Sequence, residues 1–132
     1  DAAQIAAMEI GTQPPVLKIG NLKTERVVID VRDCVNAYYM LMISRESTGG
    51  VFNVCGDDVH QMQTYTDLLI EHSQFNYNEI EQKIYEPYYR PIDIQVQIGD
   101  SSNLKNITNW EPKISLSTTM KDLLNYWRKK LA

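Results

Sequence analysis

The sequence has no long hydrophobic run and no excess of basic residues. No apolar stretch approaches the roughly 20 residues needed to span a bilayer, and no basic segment followed by an apolar one opens the chain as a secretory signal would. The formal net charge is −4, whereas nucleic-acid-binding domains carry a clustered basic excess. We therefore expect neither a membrane nor a nucleic acid as partner, and we expect a cytoplasmic protein.

The sequence is also poor in residues that carry redox or metal chemistry. Its two cysteines, Cys34 and Cys55, share no metal-ligand or redox spacing, and we expect them to be buried, reduced thiols. The two histidines, His60 and His72, have no cysteine or carboxylate at ligand spacing on a shared face. The sequence therefore predicts no metal site.

Equally absent is the glycine-rich turn between strand and helix that binds the pyrophosphate of a dinucleotide. Gly49 and Gly50 follow a helix pattern and precede a strand pattern, which is the reverse order, and no phosphate loop of the Walker type occurs. Tyr126 and Lys130 are four residues apart, but they lie on the polar end of the last predicted helix and are interpreted as a solvated helix end. The chain thus predicts no catalytic residue and no bound cofactor of its own.

What the sequence does contain is an alternation of strand and helix patterns. Its 132 residues and 15.2 kDa suit one domain over residues 1–132, with no repeat and no internal linker. Alternating strands and helices are typical of the α/β class. The patterns predict helices over 2–10, 31–44, 64–74, 101–110 and 117–131, and strands over 16–19, 26–29, 51–55, part of 79–85, and 94–98.

Capping residues and periodicity add detail to two of these helices. Asp30, with Asp33 three residues later, predicts one helix start, and Thr64, with Asp67, predicts another. The helix after Asp30 carries an apolar face at helical spacing, formed by Val31, Val35, Tyr38 or Tyr39, and Met42.

Two arginines and one aspartate are the candidate binding residues. Arg26 opens a strand just after a turn, and Arg90 lies between aromatic residues and a proline that restricts its backbone. Two convergent guanidinium groups suit a diphosphate, because they make charge-assisted and often bidentate hydrogen bonds. Asp93, three residues after Arg90, could accept hydrogen bonds from sugar or ribose hydroxyls. The alternative is that both arginines make ordinary surface ion pairs.

Several segments, taken in order, form a pattern that covers essentially the whole chain. They are Pro15-Val16-Leu17-Lys18-Ile19-Gly20-Asn21-Leu22, Arg26, Asp30-Val31-Arg32-Asp33, Val51-Phe52-Asn53-Val54-Cys55-Gly56, Arg90-Pro91-Ile92-Asp93, Gly99-Asp100 and Asn109-Trp110-Glu111-Pro112. Together they resemble the second half of the extended short-chain dehydrogenases that act on nucleotide sugars. The sequence around Gly20 is most similar to the GDP-mannose branch, which contains GDP-mannose 4,6-dehydratase and GDP-6-deoxy-4-keto-mannose reductase.

This resemblance implies a small mixed α/β domain that binds the substrate, separated from an N-terminal Rossmann part. It implies that Arg26 and Arg90 hold the diphosphate of a GDP-sugar, that Asp93 contacts the ribose, and that the strand at Leu17 and Lys18 lies along the base. The whole protein would use NADP or NAD, carry its catalytic residues in the Rossmann part and form a homodimer. By itself, the 132-residue chain would then bind no cofactor and catalyse nothing.

Three interpretations follow. The chain is part of a GDP-sugar dehydratase or reductase, a free-standing nucleotide-sugar binding module, or a non-catalytic interaction domain with a vestigial site. The first predicts a sizeable apolar surface where the Rossmann part packs. Departures from the family pattern support the third: Val27 and Val28 stand where the family usually has an aspartate and an aromatic residue. Asn109 replaces a glycine, which is a mild change because asparagine tolerates the left-handed conformation.

Overall fold

The computed structural model describes residues 1–90 and 92–132; Pro91 of the Arg-Pro-x-Asp segment lies outside the described residues. Helices and strands alternate as expected for an α/β protein. Their bounds are α1 Ala2–Glu9, β1 Val16–Ile19, β2 Glu25–Val27, α2 Val31–Ile43, β3 Val59–Gln61, α3 Met62–Glu71, β4 Glu81–Ile84, β5 Val96–Gln97, α4 Ser102–Thr108 and α5 Leu116–Leu131. Short 3-10 turns occur at Arg45–Ser47, Tyr77–Glu79 and Glu86–Tyr88.

The strands form two small sheets. In the first, β1 and β4 run parallel, with Val16 opposite Glu81 and Ile19 opposite Ile84. In the second, β2 lies in the middle, antiparallel to β3 and parallel to β5. Because β2 lies between two partners, its main chain is held from both sides at Arg26.

The main core lies between α1, β1, α3 and α5. Alternate residues of β1 point inward, and the apolar stripe of α5 packs against α1 and α3. The apolar stripe of α5 is buried at Met120 and Leu124, whereas Leu131 at its end is partly exposed. The fully buried side chains of this core are Ile5, Ala6, Leu17, Ile70 and Leu124.

A second, smaller core joins α2 to α4. Ala37 of α2 packs with Leu104 and Trp110, and the indole N–H of Trp110 donates to the carbonyl of Asp33 at 3.0 Å. The predicted apolar face of α2 is on the opposite side and is not buried: Val31, Val35, Tyr38, Tyr39 and Met42 are each more than half exposed.

The predicted strand over residues 51–55 is wrong. No strand occurs there in the described part of the chain, and the third strand is Val59–Gln61 instead. The segment still contributes to the second core, because Phe52 and Val54 pack partly buried against it. A β-branched, apolar run therefore made its hydrophobic contacts without a neighbouring strand, and pairing is what defines a strand.

The predicted helix start at Thr64 is also wrong, because α3 begins at Met62. The amides of Met62 and Gln63 donate to the carbonyls of Thr24 and Leu22, at 2.9 and 3.0 Å. These main-chain acceptors replace a side-chain cap, so no capping residue is needed at this helix end. Asp30, by contrast, is the predicted N-cap of α2 and accepts from the amide of Arg32.

Asp33 has a different role from the capping function that its spacing predicts. Its carboxylate accepts from the amides of Lys113 and Ile114, at 3.0 and 2.9 Å, and thereby fixes the segment that leads into α5. No helix in the described ranges is both long and apolar enough to cross a membrane.

Candidate functional site

Arg26 lies on the central strand β2, where its main chain is fixed by neighbours. It is opposite His60 of β3 and Gln97 of β5. Its carbonyl also accepts a hydrogen bond from the hydroxyl of Tyr65 on α3, at 2.7 Å. Burial raises the pKa of Tyr65, so this hydroxyl keeps its proton and remains a donor.

The guanidinium group of Arg26 has two described partners. Nη1 donates to the carbonyl of Glu25 at 2.8 Å, and Nη2 donates to the Asp93 carboxylate at 3.0 Å. Both side chains of the ion pair are largely shielded, with 20% of Arg26 and 16% of Asp93 exposed. Since guanidinium has five N–H donors, three remain without a partner among residues 1–90 and 92–132.

Arg26, Arg90 and Asp93 border the same cleft. Its volume is about 290 Å³, and its wall includes the Gly20–Asn21 turn and the 3-10 turn that ends at Tyr88. Arg90 is exposed at its edge. The structure thus brings together three of the five residues that the sequence predicts for the site.

Close backbone packing shapes the wall of this cleft. A side chain at Gly20 would put its Cβ 2.6 Å from the carbonyl oxygen of Tyr88, so only glycine allows the two segments to approach. Asn21 continues the turn, and its side chain accepts from the amide of Lys23 at 3.0 Å. The buried Thr24 donates to the carbonyl of Asn21 at 3.3 Å.

Leu17 and Lys18 are not among the residues that line the cleft. The side chain of Leu17 is fully buried in the main core. Lys18 is exposed, its Nζ lies 5.0 Å from the centroid of the Tyr85 ring, and its amide donates to the side chain of Gln4. Their place along a nucleotide base stays a prediction.

The sequence did not single out the cleft residues Asn21, Thr24 and Tyr88, nor Tyr65, which contacts Arg26 from outside the cleft. Asn21 and Tyr88 gave recognisable local signals, a turn and a rigid aromatic segment, but neither signal indicates a cleft. Thr24 and Tyr65 gave none, because their role depends on burial and, for Tyr65, on a contact with a residue 39 positions away.

The described residues offer no site for a metal or a dinucleotide. No group of three or more His, Cys, Asp or Glu side chains among them could hold a metal ion. Within the same ranges, α2 follows Ile29-Asp30, α3 follows β3 directly, and the segment between β5 and α4 contains one glycine, Gly99. None of these helices therefore begins after a glycine-rich turn. The residues present therefore do not fit the pyrophosphate of a nicotinamide dinucleotide.

The chain is similar to known proteins over nearly its whole length. The model of a family described as GDP-mannose 4,6 dehydratase matches residues 2–123. The chain is 26% identical to GDP-6-deoxy-D-mannose reductase of Pseudomonas aeruginosa over 130 residues, and 24% identical to GDP-mannose 4,6 dehydratase 2 of Arabidopsis thaliana over 124 residues. The solved structure of RMD from Pseudomonas aeruginosa complexed with NADPH superposes with a TM-score of 0.87 at 26% identity, covering 98% of this chain.

The chain spans only part of these relatives. The alignment with the reductase includes 98% of this chain but 41% of the reductase. The alignment with the plant dehydratase includes 92% of this chain but 31% of that protein. The chain covers the same share, 41%, of the solved RMD structure.

Proposed function

The chain belongs to the GDP-mannose 4,6 dehydratase family, and on this basis we propose that it is the substrate-binding part of a GDP-sugar 4,6-dehydratase or 4-keto-reductase. The observation that carries the proposal is the convergence of Arg26, Arg90 and Asp93 on one cleft. The ion pair between Arg26 and Asp93 joins residues 67 positions apart, so the fold itself brings these two candidates together.

The chemistry of the cleft suits a nucleoside diphosphate. Arg26 keeps three N–H donors for a ligand within the described structure, and Arg90 adds a second guanidinium at the edge. A diphosphate offers oxygens to both, and charge-assisted hydrogen bonds of this kind are stronger than neutral ones. Asp93 can accept from a ribose hydroxyl with the carboxylate oxygen that Arg26 does not use.

In this proposal, the residues of this chain bind and orient the substrate, and the chemical step belongs to the rest of the protein. RMD from Pseudomonas aeruginosa was solved with NADPH, and we propose that the whole protein uses a nicotinamide cofactor. Because the described residues do not fit that cofactor, we assign none of them to it. A dehydratase and a reductase differ in the reactive residues and would share the binding role described for Arg26, Arg90 and Asp93.

The exposed face of α2 supports the idea that more protein covers this domain. Val31, Val35, Tyr38, Tyr39 and Met42 form an apolar stripe on one helix, and apolar surface of this extent is usually covered in a folded protein. We propose a cytoplasmic homodimer for the whole enzyme.

The test is calorimetric titration of GDP into the full-length product of the coding sequence. We expect Arg26→Gln to weaken GDP binding by about tenfold to a hundredfold, because it removes charge-assisted hydrogen bonds worth about 1.5–3 kcal/mol. The matched control is Arg45→Gln, which removes an exposed guanidinium on the 3-10 turn Arg45–Ser47, outside the cleft. It should leave GDP affinity unchanged.

Three outcomes separate the alternatives. Binding together with turnover of GDP-mannose or of its 4-keto-6-deoxy product supports the enzyme. Binding without turnover of either compound supports a binding module. Absence of binding by the wild-type protein, or equal losses in the two arginine variants, would contradict the assignment of the cleft.

A further inference from the structure

We infer that Tyr65 is a positioning residue for Arg26: its hydroxyl fixes the strand from which the guanidinium reaches the cleft. This inference rests on the proposed binding of a nucleoside diphosphate. Tyr65 does not line the cleft, so its effect on a ligand would pass through Arg26.

The strand that carries Arg26 is paired on both sides at that residue, but its sheet is small and one neighbour is very short. Strand β2 has three residues, and β5 beside it has two, both exposed. Only Glu25 and Arg26 pair with β5. Short, exposed strands open readily, because few buried contacts oppose their separation.

Tyr65 connects this strand to the main core. Its side chain is 5% exposed and packs in the core together with Leu69 and Ile70 of the same helix. From there, the hydroxyl donates to the carbonyl of Arg26 at 2.7 Å. The ring also meets the edge of His60, which lies opposite Arg26 on β3, with centroids 6.1 Å apart.

The direction of the Arg26 side chain depends on this main-chain position. Nη1 bonds to the carbonyl of the preceding residue, Glu25, and Nη2 reaches Asp93 from a different segment of the chain. A small rotation of the Arg26 peptide would misalign both contacts, and binding groups must be held to within about 0.5 Å to be effective. The side chain of Val27 has no polar group that could hold the arginine locally, so the long-range contact from α3 performs this role.

The experiment compares Tyr65→Phe with Tyr77→Phe in the full-length product of the coding sequence. Each variant loses one hydroxyl that makes hydrogen bonds, but Tyr77 bonds to Gln63 and Gln82, away from the cleft. We expect Tyr65→Phe to weaken GDP binding by about three- to tenfold, the effect of one hydrogen bond, and to weaken guanosine binding less, because guanosine lacks the diphosphate that Arg26 would hold. Tyr77→Phe should change neither. In an Arg26→Gln background, Tyr65→Phe should have no further effect on GDP.

A ligand-free measurement separates this inference from the proposed function. The NMR order parameter of the Arg26 Nε–H group should fall in Tyr65→Phe, whereas that of Arg128, which is held by Glu9, should not. If the order parameter falls but the wild-type protein binds no GDP, the positioning is upheld and the proposed function fails. The inference is overturned if the order parameter is unchanged, if guanosine binding weakens as much as GDP binding, or if the loss persists without Arg26.

Discussion

Replacing Asp30 with alanine should destabilise the protein more than the loss of any exposed ion pair would. The Asp30 side chain is 3% exposed and joins two helices. It caps α2 by accepting from the amide of Arg32, and it accepts from the hydroxyl of Thr119 on α5, both at 2.8 Å. Hydrogen bonds from Arg32 hold the pKa of this carboxyl well below its usual range, although burial acts in the opposite direction.

The size of the loss follows from these contacts. An N-cap aspartate contributes about 1 kcal/mol, and a hydrogen bond from Thr119 to a charged acceptor contributes about 1.5–3 kcal/mol. The guanidinium of Arg32 is half exposed, so solvent screens its ion pair and its loss adds little. We therefore expect Asp30→Ala to lower the free energy of unfolding by about 3 kcal/mol.

The assay is urea unfolding, followed by the fluorescence of Trp110 and Trp127. The matched control is Asp122→Ala, because Asp122 accepts from the same arginine, at 2.7 Å, but is 47% exposed. The control should lose less than a third of what Asp30→Ala loses. If the two variants lose equal amounts, or if Asp30→Ala loses less than about 1 kcal/mol, the reasoning from burial and capping is refuted.

Two further predictions concern acid stability and the end of α4. Burial of Glu9 raises its pKa, but hydrogen bonds from Arg128 and from the amide of Gln74 outweigh this and lower it below the ordinary 4.5. The stability that Glu9 contributes is thus complete above about pH 4.5 and is lost as the pH falls through the folded-state pKa. In urea unfolding below that pH, the difference in free energy of unfolding between wild type and Glu9→Gln should therefore shrink. A difference that stays constant with pH would contradict this. Asn109 ends α4 in the left-handed region with a φ of 53°. In thermal unfolding, Asn109→Val should therefore lower the stability by about 1–2 kcal/mol and Asn109→Gly by much less. Equal losses in the two variants would contradict this.

Local patterns were sufficient for most of the fold. The α/β class and the family were both correctly predicted, and β1 has its predicted bounds. The N-cap at Asp30 and the tolerance of Asn109 for the left-handed conformation were confirmed, because each depends on a side chain and its own backbone. The apolar face predicted for α2 exists and is exposed, and its contact with a Rossmann part stays a prediction.

The errors have one physical cause: their outcome depends on partners distant in the chain. Residues 51–55 have the composition of a strand, yet a strand exists only where another strand offers hydrogen bonds, and composition does not supply one. The start of α3 was set by the carbonyls of Leu22 and Thr24, about 40 residues earlier, which no capping pattern near Thr64 could indicate.

The candidate site divides in the same way. Residue type and local context made Arg26, Arg90 and Asp93 candidates, and the family resemblance supplied their binding roles, which stay predictions. Their common cleft, the ion pair between Arg26 and Asp93 and the contact from Tyr65 were settled by chain folding. These contacts join residues 67 and 39 positions apart, and such distances are closed by the packing of the core and not by any local preference of the sequence.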